Sequence, residues 1–467
     1  MIFNSIFNQA TLSTTLFFLL AAISPITPAY ANQNKLEMIN SYIDDLFAHN
    51  KAMGSYTILD NGEVVLDRQT GYSNHNTSAL AANNYIEASK TSRYKIASIS
   101  KTFTATLVMQ LIEEDKLELE TKLADFFPEV KNATSISIKD MLQHRSGIVN
   151  YTDEPGFLNY YTKPQTQQKM LTRLAALPSN FPPGSQFEYS NSNYLLLGYI
   201  VEKITGRPLS LTLRDRITQP LNLKAASYCA DLHACGISIS SFYYWDDTWV
   251  LLTPQWSPTA AEGAGGMTST TLDLTRFIHA LSQGKLVSKQ TLTLMSQQNL
   301  GLYSPQYSQL ENYGHDGILE GYWSSMLYFP EQDVAMAISI NGLHESYEDL
   351  VRNIIGLYFG ENVKLPDYDR SSIPLSEGQL KTFTGSYETL RTQKAVDVSI
   401  KDGELIAKMS GQRSFTFTPM TENEFENRVY GVILTFNSVK NEHGKSNSVK
   451  AQIGNHTEAF YRVERGK

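Results

Sequence analysis

The spacing of apolar residues changes along the chain. In the larger, N-terminal part, apolar residues recur at intervals of three and four, which predicts helices over about 35–49, from about 98, over 138–142, over 192–205 and from 271. Residues 55–59 and 63–67 are β-rich runs that flank Asn61-Gly62, a pattern typical of a hairpin. From about residue 375 onward, short alternating runs separated by turn residues predict strands over 384–388, 396–400, 405–409, 415–417, 432–436 and 449–453.

The order of these elements predicts an α+β fold. We expect an antiparallel sheet, built from both ends of a large domain and flanked by helices, followed by a small all-β module that is a barrel or a sandwich. The large domain is placed at residues 32–365, a linker at 366–374 and the β module at 375–467.

The N-terminal segment has the pattern of a leader. Residues 1–31 contain no charged side chain, an apolar run over 16–23 and the small-residue sequence Ala29-Tyr30-Ala31. This pattern predicts a signal peptide cleaved after Ala31, and therefore a periplasmic or secreted bacterial protein. A retained anchor is the alternative, but the run is far shorter than the roughly 20 residues that span a bilayer, so we expect no stable membrane anchor.

Composition and charge limit the classes of partner. The chain has 467 residues, of which 42% are hydrophobic and 18% charged, and this is the composition of an ordinary globular protein with a sizeable core. The net charge of -8, without a dense Lys/Arg run, argues against nucleic acid and anionic membranes as partners. A small neutral or cationic substrate remains open, and the oligomeric state is not predicted.

The cysteines and histidines do not form a metal motif. Cys229 and Cys235 are the two cysteines of the chain, and in an exported protein they favour one local disulfide, with two free thiols as the alternative. His233 between them is a weak third ligand, and the other histidines are scattered without H-E-x-x-H spacing. We therefore expect neither a metal nor a cofactor.

The candidate chemistry begins at Ser98-Ile99-Ser100-Lys101. A helix that starts near Ser98 places the hydroxyl beside free backbone N–H groups, with Lys101 on the same helix face. Desolvation lowers the pKa of a lysine, and a neutral amine can take the serine proton, as in S-x-x-K nucleophiles. The same spacing occurs at Ser92/Lys95 and Ser282/Lys285, and an ordinary helix-capping serine is the alternative for Ser98.

Two later stretches carry further polar side chains. Tyr189 and Asn191 lie on a loop that feeds the helix predicted over 192–205, where a buried tyrosine and a capping asparagine are the alternative reading. His315-Asp316-Gly317 precedes a strand hairpin predicted over 322–329 and 334–340. The aromatic residues of 242–256 show no period, and they line a cleft or form a loop packed on the surface.

These three elements, in this order, resemble the serine β-lactamase and penicillin-binding protein superfamily, and within it the branch of class C β-lactamases, DD-carboxypeptidases, D-aminopeptidases and related esterases. The supporting stretches are 96–104, 142–147, 187–191 and 264–267. The resemblance covers about residues 38 to 345. The C-terminal module resembles the β-barrel appended to many members of this superfamily.

The resemblance implies a role for each side chain. Ser98 would be the acylated nucleophile, and Lys101 would share its proton. Tyr189 would relay a proton to the leaving group, and Asn191 would position Lys101 and the peptide group of the substrate. His315 would replace the lysine that is common in the third motif. His144 fits a loop position of the family and is expected to be structural.

The strand after His315 would complete the substrate site. Gly317 would let a substrate approach the strand edge, and the backbone N–H groups of Ser98 and Ile318 would form the oxyanion hole. Asp316 stands where many penicillin-recognising members have Thr or Ser. A carboxylate facing the cleft would repel a carboxylate of the substrate and favour amine-bearing or neutral esters and amides, whereas the alternative is an Asp316 that points away and accepts a structural hydrogen bond.

The implied function is an exported serine hydrolase that acts through a Ser98 acyl-enzyme on an amide or ester. The expected substrate is a D-amino-acid-containing peptide or a peptidoglycan fragment. A class C-like β-lactamase and a small-ester esterase are the alternatives among enzymes. A protein that binds cell-wall fragments without turnover, with the C-terminal module as its recognition part, is the alternative outside that class.

Overall fold

The computed structural model describes residues 28–75, 85–228, 239–390, 394–409, 414–427, 432–437, 441–453 and 456–463. Most of the predicted signal peptide therefore lies outside the described residues, as do Cys229 and Cys235 with their predicted disulfide. None of the helices in the described ranges is long and apolar enough to cross a membrane.

The described ranges contain five helices at predicted positions, near residues 35–49, 98, 138–142, 192–205 and 271, together with five helices that the sequence patterns did not predict. They are α1 Pro28–Ala48, α2 Ser100–Glu113, α3 Ile138–Leu142, α4 Gln167–Ala176, α5 Asn191–Thr205, α6 Leu209–Leu213, α7 Thr271–Ser282, α8 Lys289–Gln297, α9 Tyr347–Phe359 and α10 Glu377–Lys381. Gly206 follows α5 with a φ of 65°, a left-handed conformation that ends a helix at little cost when the residue is glycine.

The strands of the large domain form one main sheet and smaller pairings. They are β1 Ala52–Asp60, β2 Glu63–Thr70, β3 Tyr72–His75, β4 Tyr85–Glu87, β5 Tyr94–Lys95, β6 Ser227–Tyr228, β7 Phe242–Trp245, β8 Thr248–Leu251, β9 Met267–Ser269, β10 Tyr313–Leu319, β11 Tyr322–Phe329 and β12 Val334–Leu343. The main sheet runs β10-β11-β12-β1-β2 with antiparallel neighbours, and β7 joins β12 in parallel. Strands from both ends of the domain thus share one sheet, as predicted.

Local sequence explains the first hairpin. Asn61 and Gly62 connect β1 to β2 with φ angles of 51° and 80°. Two successive positive φ angles match the right-handed twist of the flanking strands, and they are accessible to asparagine and glycine at little cost. The register that follows buries Tyr56 and Ile58 of β1 against α1 and α9.

Helices cover both faces of the main sheet. Helices α1 and α9 pack on one face, and α7 packs on the other, where it also contacts the helical region that contains α2 and α5. Phe103 of α2 stacks on Phe277 of α7 with the ring centroids 3.7 Å apart, and both side chains are fully buried. Truncation of such a core aromatic ring costs about 3–5 kcal/mol, so this contact fixes the helix that follows Ser98.

The C-terminal module is a closed barrel. Its strands are β13 Gly385–Glu388, β14 Ala395–Lys401, β15 Glu404–Met409, β16 Ser414–Pro419, β17 Glu424–Asn427, β18 Val432–Phe436, β19 Ser448–Ile453 and β20 His456–Val463, each paired with the next, and β20 pairs with β13. The sequence patterns did not predict β17 and β20. Both contribute a buried phenylalanine to the barrel core, Phe425 and Phe460.

Candidate active site

Ser98 lies in a single 3₁₀ turn, Ala97–Ile99, that leads directly into α2. Ala97 before it has a φ of 45°, a left-handed conformation that a residue with a Cβ seldom adopts. Because α2 begins at Ser100, Lys101 lies one residue into the helix and its side chain returns towards the serine. Lys101 is fully buried.

Lys101 contacts three oxygen atoms. Its Nζ lies 2.9 Å from Ser98 Oγ, 2.7 Å from Asn191 Oδ1 and 2.6 Å from the carbonyl oxygen of Ala264. Burial lowers the pKa of Lys101 well below its ordinary value, which favours the neutral amine. A neutral amine has two N–H donors, and Asn191 and Ala264 offer two pure acceptors, so the lone pair is left for the Ser98 hydroxyl.

Tyr189 approaches the same serine from the loop before α5. Its phenol donates a hydrogen bond to Ser98 Oγ at 2.9 Å. Burial of the hydroxyl raises the pKa of Tyr189 to about 12, so the phenol keeps its proton at neutral pH. Ser98 Oγ is therefore placed between a proton acceptor, Lys101, and a proton donor, Tyr189.

His144 holds Tyr189 in place, a relationship that the sequence did not reveal. The two rings stack with their centroids 4.3 Å apart, and His144 Nδ1 accepts the backbone N–H of Ser190 at 3.0 Å. Burial lowers the pKa of His144 well below its ordinary value, so the imidazole is neutral. The structural role expected for His144 is thus specific: it supports the loop that carries Tyr189.

The third predicted motif forms strand β10 itself, at the edge of the main sheet. His315 is buried, and its Nδ1 lies 2.5 Å from the carbonyl oxygen of Asp316, which requires the ring proton on Nδ1. Its Nε2 is buried and has no hydrogen-bond partner among the described residues. Burial lowers the pKa of His315 to about 3, so this position does not supply a cation at neutral pH.

Gly317 allows β10 to contact the turn that carries Ser98. A Cβ at position 317 would lie 2.1 Å from the carbonyl oxygen of Ile96 and 3.1 Å from the backbone nitrogen of Ser98. No side chain larger than hydrogen fits there without moving the strand. The backbone of residues 317 and 318 is consequently held beside Ser98, where the resemblance places the oxyanion hole.

Asp316 does not face this site. Successive side chains of a strand point to opposite sides, and Gly317 faces Ser98, so Asp316 faces away. Its carboxylate accepts hydrogen bonds from Ser325 Oγ at 2.6 Å and from the Tyr307 hydroxyl at 3.0 Å. This placement corrects the assignment of Asp316 to substrate binding and removes the expected repulsion of a substrate carboxylate.

Neither of the other serine–lysine pairs forms this arrangement. Ser282 ends α7, and Gly284 follows with a φ of 73°, as expected for a helix end. Ser92 accepts the backbone N–H of Ser89 in the turn before β5.

Of the predicted site residues within the described ranges, the structure brings together Ser98, Lys101, Tyr189, Asn191, His315 and Gly317. The described residues contain no group of His, Cys, Asp and Glu side chains with the geometry of a metal site.

This arrangement can move a proton from Ser98 to Lys101 while Tyr189 keeps a second proton for transfer. The candidate base, Lys101, and the candidate acid, Tyr189, both lie within hydrogen-bonding distance of the candidate nucleophile, Ser98 Oγ. Lys101, the proton acceptor, and Tyr189, the proton donor, are both neutral. Neither proton transfer therefore requires a charged group to be brought into the buried site.

Comparisons with known proteins identify a family and relatives for this chain. A family model described as Beta-lactamase matches residues 39–357. Penicillin-binding protein 4 of Amycolatopsis lactamdurans is 26% identical over 328 residues, which span 63% of this chain and 84% of that protein. The D-amino acid amidase of Ochrobactrum anthropi SV3, solved with D-phenylalanine, has a TM-score of 0.62 and 23% identity over 70% of this chain and 99% of the amidase. The octameric penicillin-binding protein homologue of Pyrococcus abyssi has a TM-score of 0.64 and 21% identity over 91% of this chain and 99% of that one.

The family match begins within α1 and ends within α9, so it includes Ser98, Lys101, Tyr189, Asn191 and His315. The likeness to the Pyrococcus protein extends into the C-terminal barrel, because it covers 91% of the chain. The chain belongs to the Beta-lactamase family, and it is a serine hydrolase of the β-lactamase and penicillin-binding protein superfamily.

Proposed function

We propose that this protein is an exported hydrolase that forms an acyl-enzyme at Ser98 and acts on a D-amino-acid-containing peptide, a peptidoglycan fragment or a related amide. The observation that carries the proposal is the position of Ser98 Oγ, 2.9 Å from both Lys101 Nζ and the Tyr189 hydroxyl. Export is supported by the leader-like pattern of residues 1–31.

Acylation begins with Lys101. Its neutral amine takes the Ser98 proton as Oγ attacks the substrate carbonyl, and Asn191 Oδ1 and Ala264 O stabilise the resulting ammonium by accepting its N–H groups. The backbone N–H groups of Ser98 and Ile318 receive the oxyanion, an effect worth about 3–4 kcal/mol per donor. The buried site strengthens each of these interactions because water is excluded.

Tyr189 completes the cycle. It donates its proton to the leaving nitrogen or oxygen as the bond to the acyl group breaks, and it becomes a phenolate beside the Lys101 ammonium. The phenolate then takes a proton from the water that attacks the acyl-enzyme. Ser98 leaves as an alkoxide and recovers its proton from Lys101, so each group returns to its starting protonation state.

The neutral state of His315 affects which leaving groups the site accepts. A lysine in the third motif would offer a cation to a substrate carboxylate, whereas the Nε2 of His315 offers a lone pair. Because this nitrogen is buried, it does not bind the substrate directly, and the position lacks a cation for a substrate carboxylate. The lack of a cation at position 315 favours amidase or aminopeptidase-like cleavage over removal of a C-terminal amino acid. It also favours open-chain amides over β-lactams. The amidase activity named for the Ochrobactrum neighbour is consistent with this proposal.

The test measures the intact mass of the protein and its turnover of several substrates. Wild type, Ser98→Ala and the control Ser282→Ala are incubated with a fluorescent penicillin, with p-nitrophenyl acetate and with the p-nitroanilides of D- and L-alanine. We expect Ser98-dependent turnover of the acetate and of the D-anilide, with the L-anilide slower. Ser282→Ala, which has the same serine–lysine spacing at a helix end, should behave as wild type.

Each other outcome selects another function. A stable penicillin adduct confined to proteins that retain Ser98 would indicate a DD-peptidase-like enzyme, and rapid penicillin hydrolysis would indicate a β-lactamase. Turnover of the acetate alone would indicate an esterase. Equal turnover by wild type and Ser98→Ala would remove Ser98 from the mechanism, and absence of turnover in both would favour a binding protein. Export is tested separately by cell fractionation and by sequencing of the mature N-terminus, which should begin at Asn32.

A further inference from the structure

Lys95 is a buried cation close to the site, and the proposed mechanism does not use it. Its side chain is 5% exposed, although lysine is almost never buried without a partner. Nζ donates one hydrogen bond, to the carbonyl oxygen of Trp256 at 3.2 Å, and it lies 5.7 Å from the centre of the Tyr322 ring. A lysine ammonium has three donors, and the described residues offer it no further hydrogen bond and no ion pair.

The charge of Lys95 is retained at neutral pH. Burial lowers the pKa of Lys95 to about 8, and the exposed carboxylate of Glu320 opposes this shift from a distance. The ammonium form therefore predominates at pH 7. A buried ammonium with unused donors is costly unless an anion or a dipole approaches it.

Lys95 lies in the wall of a narrow recess that is open to solvent. The recess is mostly apolar, and its lining includes Lys95, Trp256, Pro258, Gly265, Gly266 and Leu319. Trp256 packs on Phe157 with the ring centroids 4.8 Å apart, so this wall is supported from behind. The recess thus combines an apolar surface with a single buried positive charge.

The recess adjoins the expected oxyanion hole. A Cβ on Gly265 would lie 3.6 Å from the carbonyl carbon of Ala97, the residue before Ser98. Leu319 directly follows Ile318 in β10. The walls of the recess therefore continue from the two backbone segments that would hold the substrate carbonyl.

The leaving-group side lies in the opposite direction. Tyr189, His144, Tyr303 and His315 form a connected group of rings, since Tyr303 meets His315 at a centroid distance of 5.1 Å and His144 stacks on Tyr189. His315 and Leu319 are four residues apart in one strand, a separation of about 13 Å. A substrate that places its leaving group beside Tyr189 therefore extends its acyl group towards Lys95.

We propose that this recess is the acyl-side subsite, and that Lys95 binds a carboxylate carried by the acyl group of the substrate several bonds from the scissile carbonyl. The proposal rests on the proposed function, because it takes Ser98 as the acylated residue. It assigns an acidic acyl group to the substrate, in contrast to the amine-bearing substrate that Asp316 suggested in the sequence. The ammonium would hold the carboxylate by a charge-assisted hydrogen bond.

The test compares two esters that differ in one charge. Mono-p-nitrophenyl adipate ends in a carboxylate, and its methyl ester is the neutral counterpart. We expect wild type to have a kcat/KM at least about tenfold higher for the charged ester, the usual worth of a hydrogen bond to an ionic partner. In Lys95→Met this ratio should fall towards one, and in Lys95→Arg it should persist. Lys90→Met, which removes an exposed lysine five residues upstream, should retain the wild-type ratio.

A second measurement does not depend on turnover. Monomethyl adipate is titrated against Ser98→Ala and against the Ser98→Ala/Lys95→Met double variant by calorimetry. Binding that is lost in the double variant supports the subsite even if neither ester is hydrolysed, an outcome that would reject the proposed function alone. An unchanged ester ratio in Lys95→Met, or equal adipate binding with and without Lys95, overturns the subsite. Lys95→Gln replaces Lys95→Met in both assays if the methionine variant does not fold.

Discussion

The imidazole of His144 stacks on the phenol of Tyr189 at a centroid distance of 4.3 Å while its Nδ1 accepts the backbone N–H of the next residue, Ser190. One side chain thereby fixes both the ring and the main chain of the proposed acid. Tyr189 itself is partly exposed, so it depends on this support more than Lys101 does, which is enclosed on all sides.

We expect His144→Leu to lower kcat for ester hydrolysis by about tenfold or more, because small displacements of a catalytic group are costly. The melting temperature should fall as well. The two effects are separated in a Tyr189→Phe background, where the change at His144 should lower the melting temperature by a similar amount but have little further effect on kcat. Equal kinetic losses in both backgrounds would show that His144 acts independently of Tyr189.

The protonation state of Lys101 predicts the pH dependence of acylation. Burial lowers the pKa of Lys101, so the neutral base accumulates as pH rises through this lowered value, well below 10.5. The acylation rate with p-nitrophenyl acetate, measured by rapid mixing, should rise with pH in that range. Lys101→Arg keeps its charge at every accessible pH and should lose about 10²–10⁴ in rate at neutral pH. An arginine variant that acylates at the wild-type rate would exclude Lys101 as the base.

Gly317→Ala tests the contact between β10 and the turn of Ser98. The new methyl group would lie 2.1 Å from the carbonyl oxygen of Ile96, so the strand must shift away from the serine. We expect kcat/KM to fall by about 10² or more. Gly378→Ala is the matched control, because a Cβ there meets nothing closer than 3.9 Å, and it should leave turnover unchanged.

Asp316→Asn tests the corrected position of this residue. The carboxylate accepts hydrogen bonds from Ser325 and Tyr307 on the face away from Ser98, and we expect its loss to reduce the free energy of unfolding by about 1–3 kcal/mol. The ratio of kcat/KM for amine-bearing and neutral esters should stay the same. A marked change in that ratio, with stability preserved, would return Asp316 to the substrate site.

The proximity of the candidate side chains within each pair follows from their local spacing. Ser98 and Lys101 lie at one helix start, and Tyr189 and Asn191 lie at another, where Asn191 is the first residue of α5. The orientation of Asp316 was left open because sequence did not specify which strand position approaches the serine. In the structure, Gly317 is the position that approaches the serine. Because side chains alternate along a strand, Asp316 then faces away from it.

The sequence patterns could not predict which polar side chains are buried by residues that are distant in the sequence. The spacing of Ser92 and Lys95 does not indicate that Lys95 is buried, and its hydrogen-bond partner, Trp256, lies 161 positions further along the chain. His144 depends in the same way on a loop that precedes α5. In the barrel, β17 and β20 carry charged residues among few apolar ones, because strands of a small closed barrel bury one face alone.

The closure of the C-terminal barrel limits how it can recognise another molecule. Each strand from β13 to β20 already has a hydrogen-bonded neighbour on both sides, since β20 returns to β13. Among the described strands β13 to β20, a partner peptide therefore finds no exposed edge to which it could add as an extra strand, the mode by which many domains capture extended peptides. Recognition by this module has to use side chains on the outer surface or the connecting loops, where sequence can diverge without disturbing the hydrogen-bonded ring.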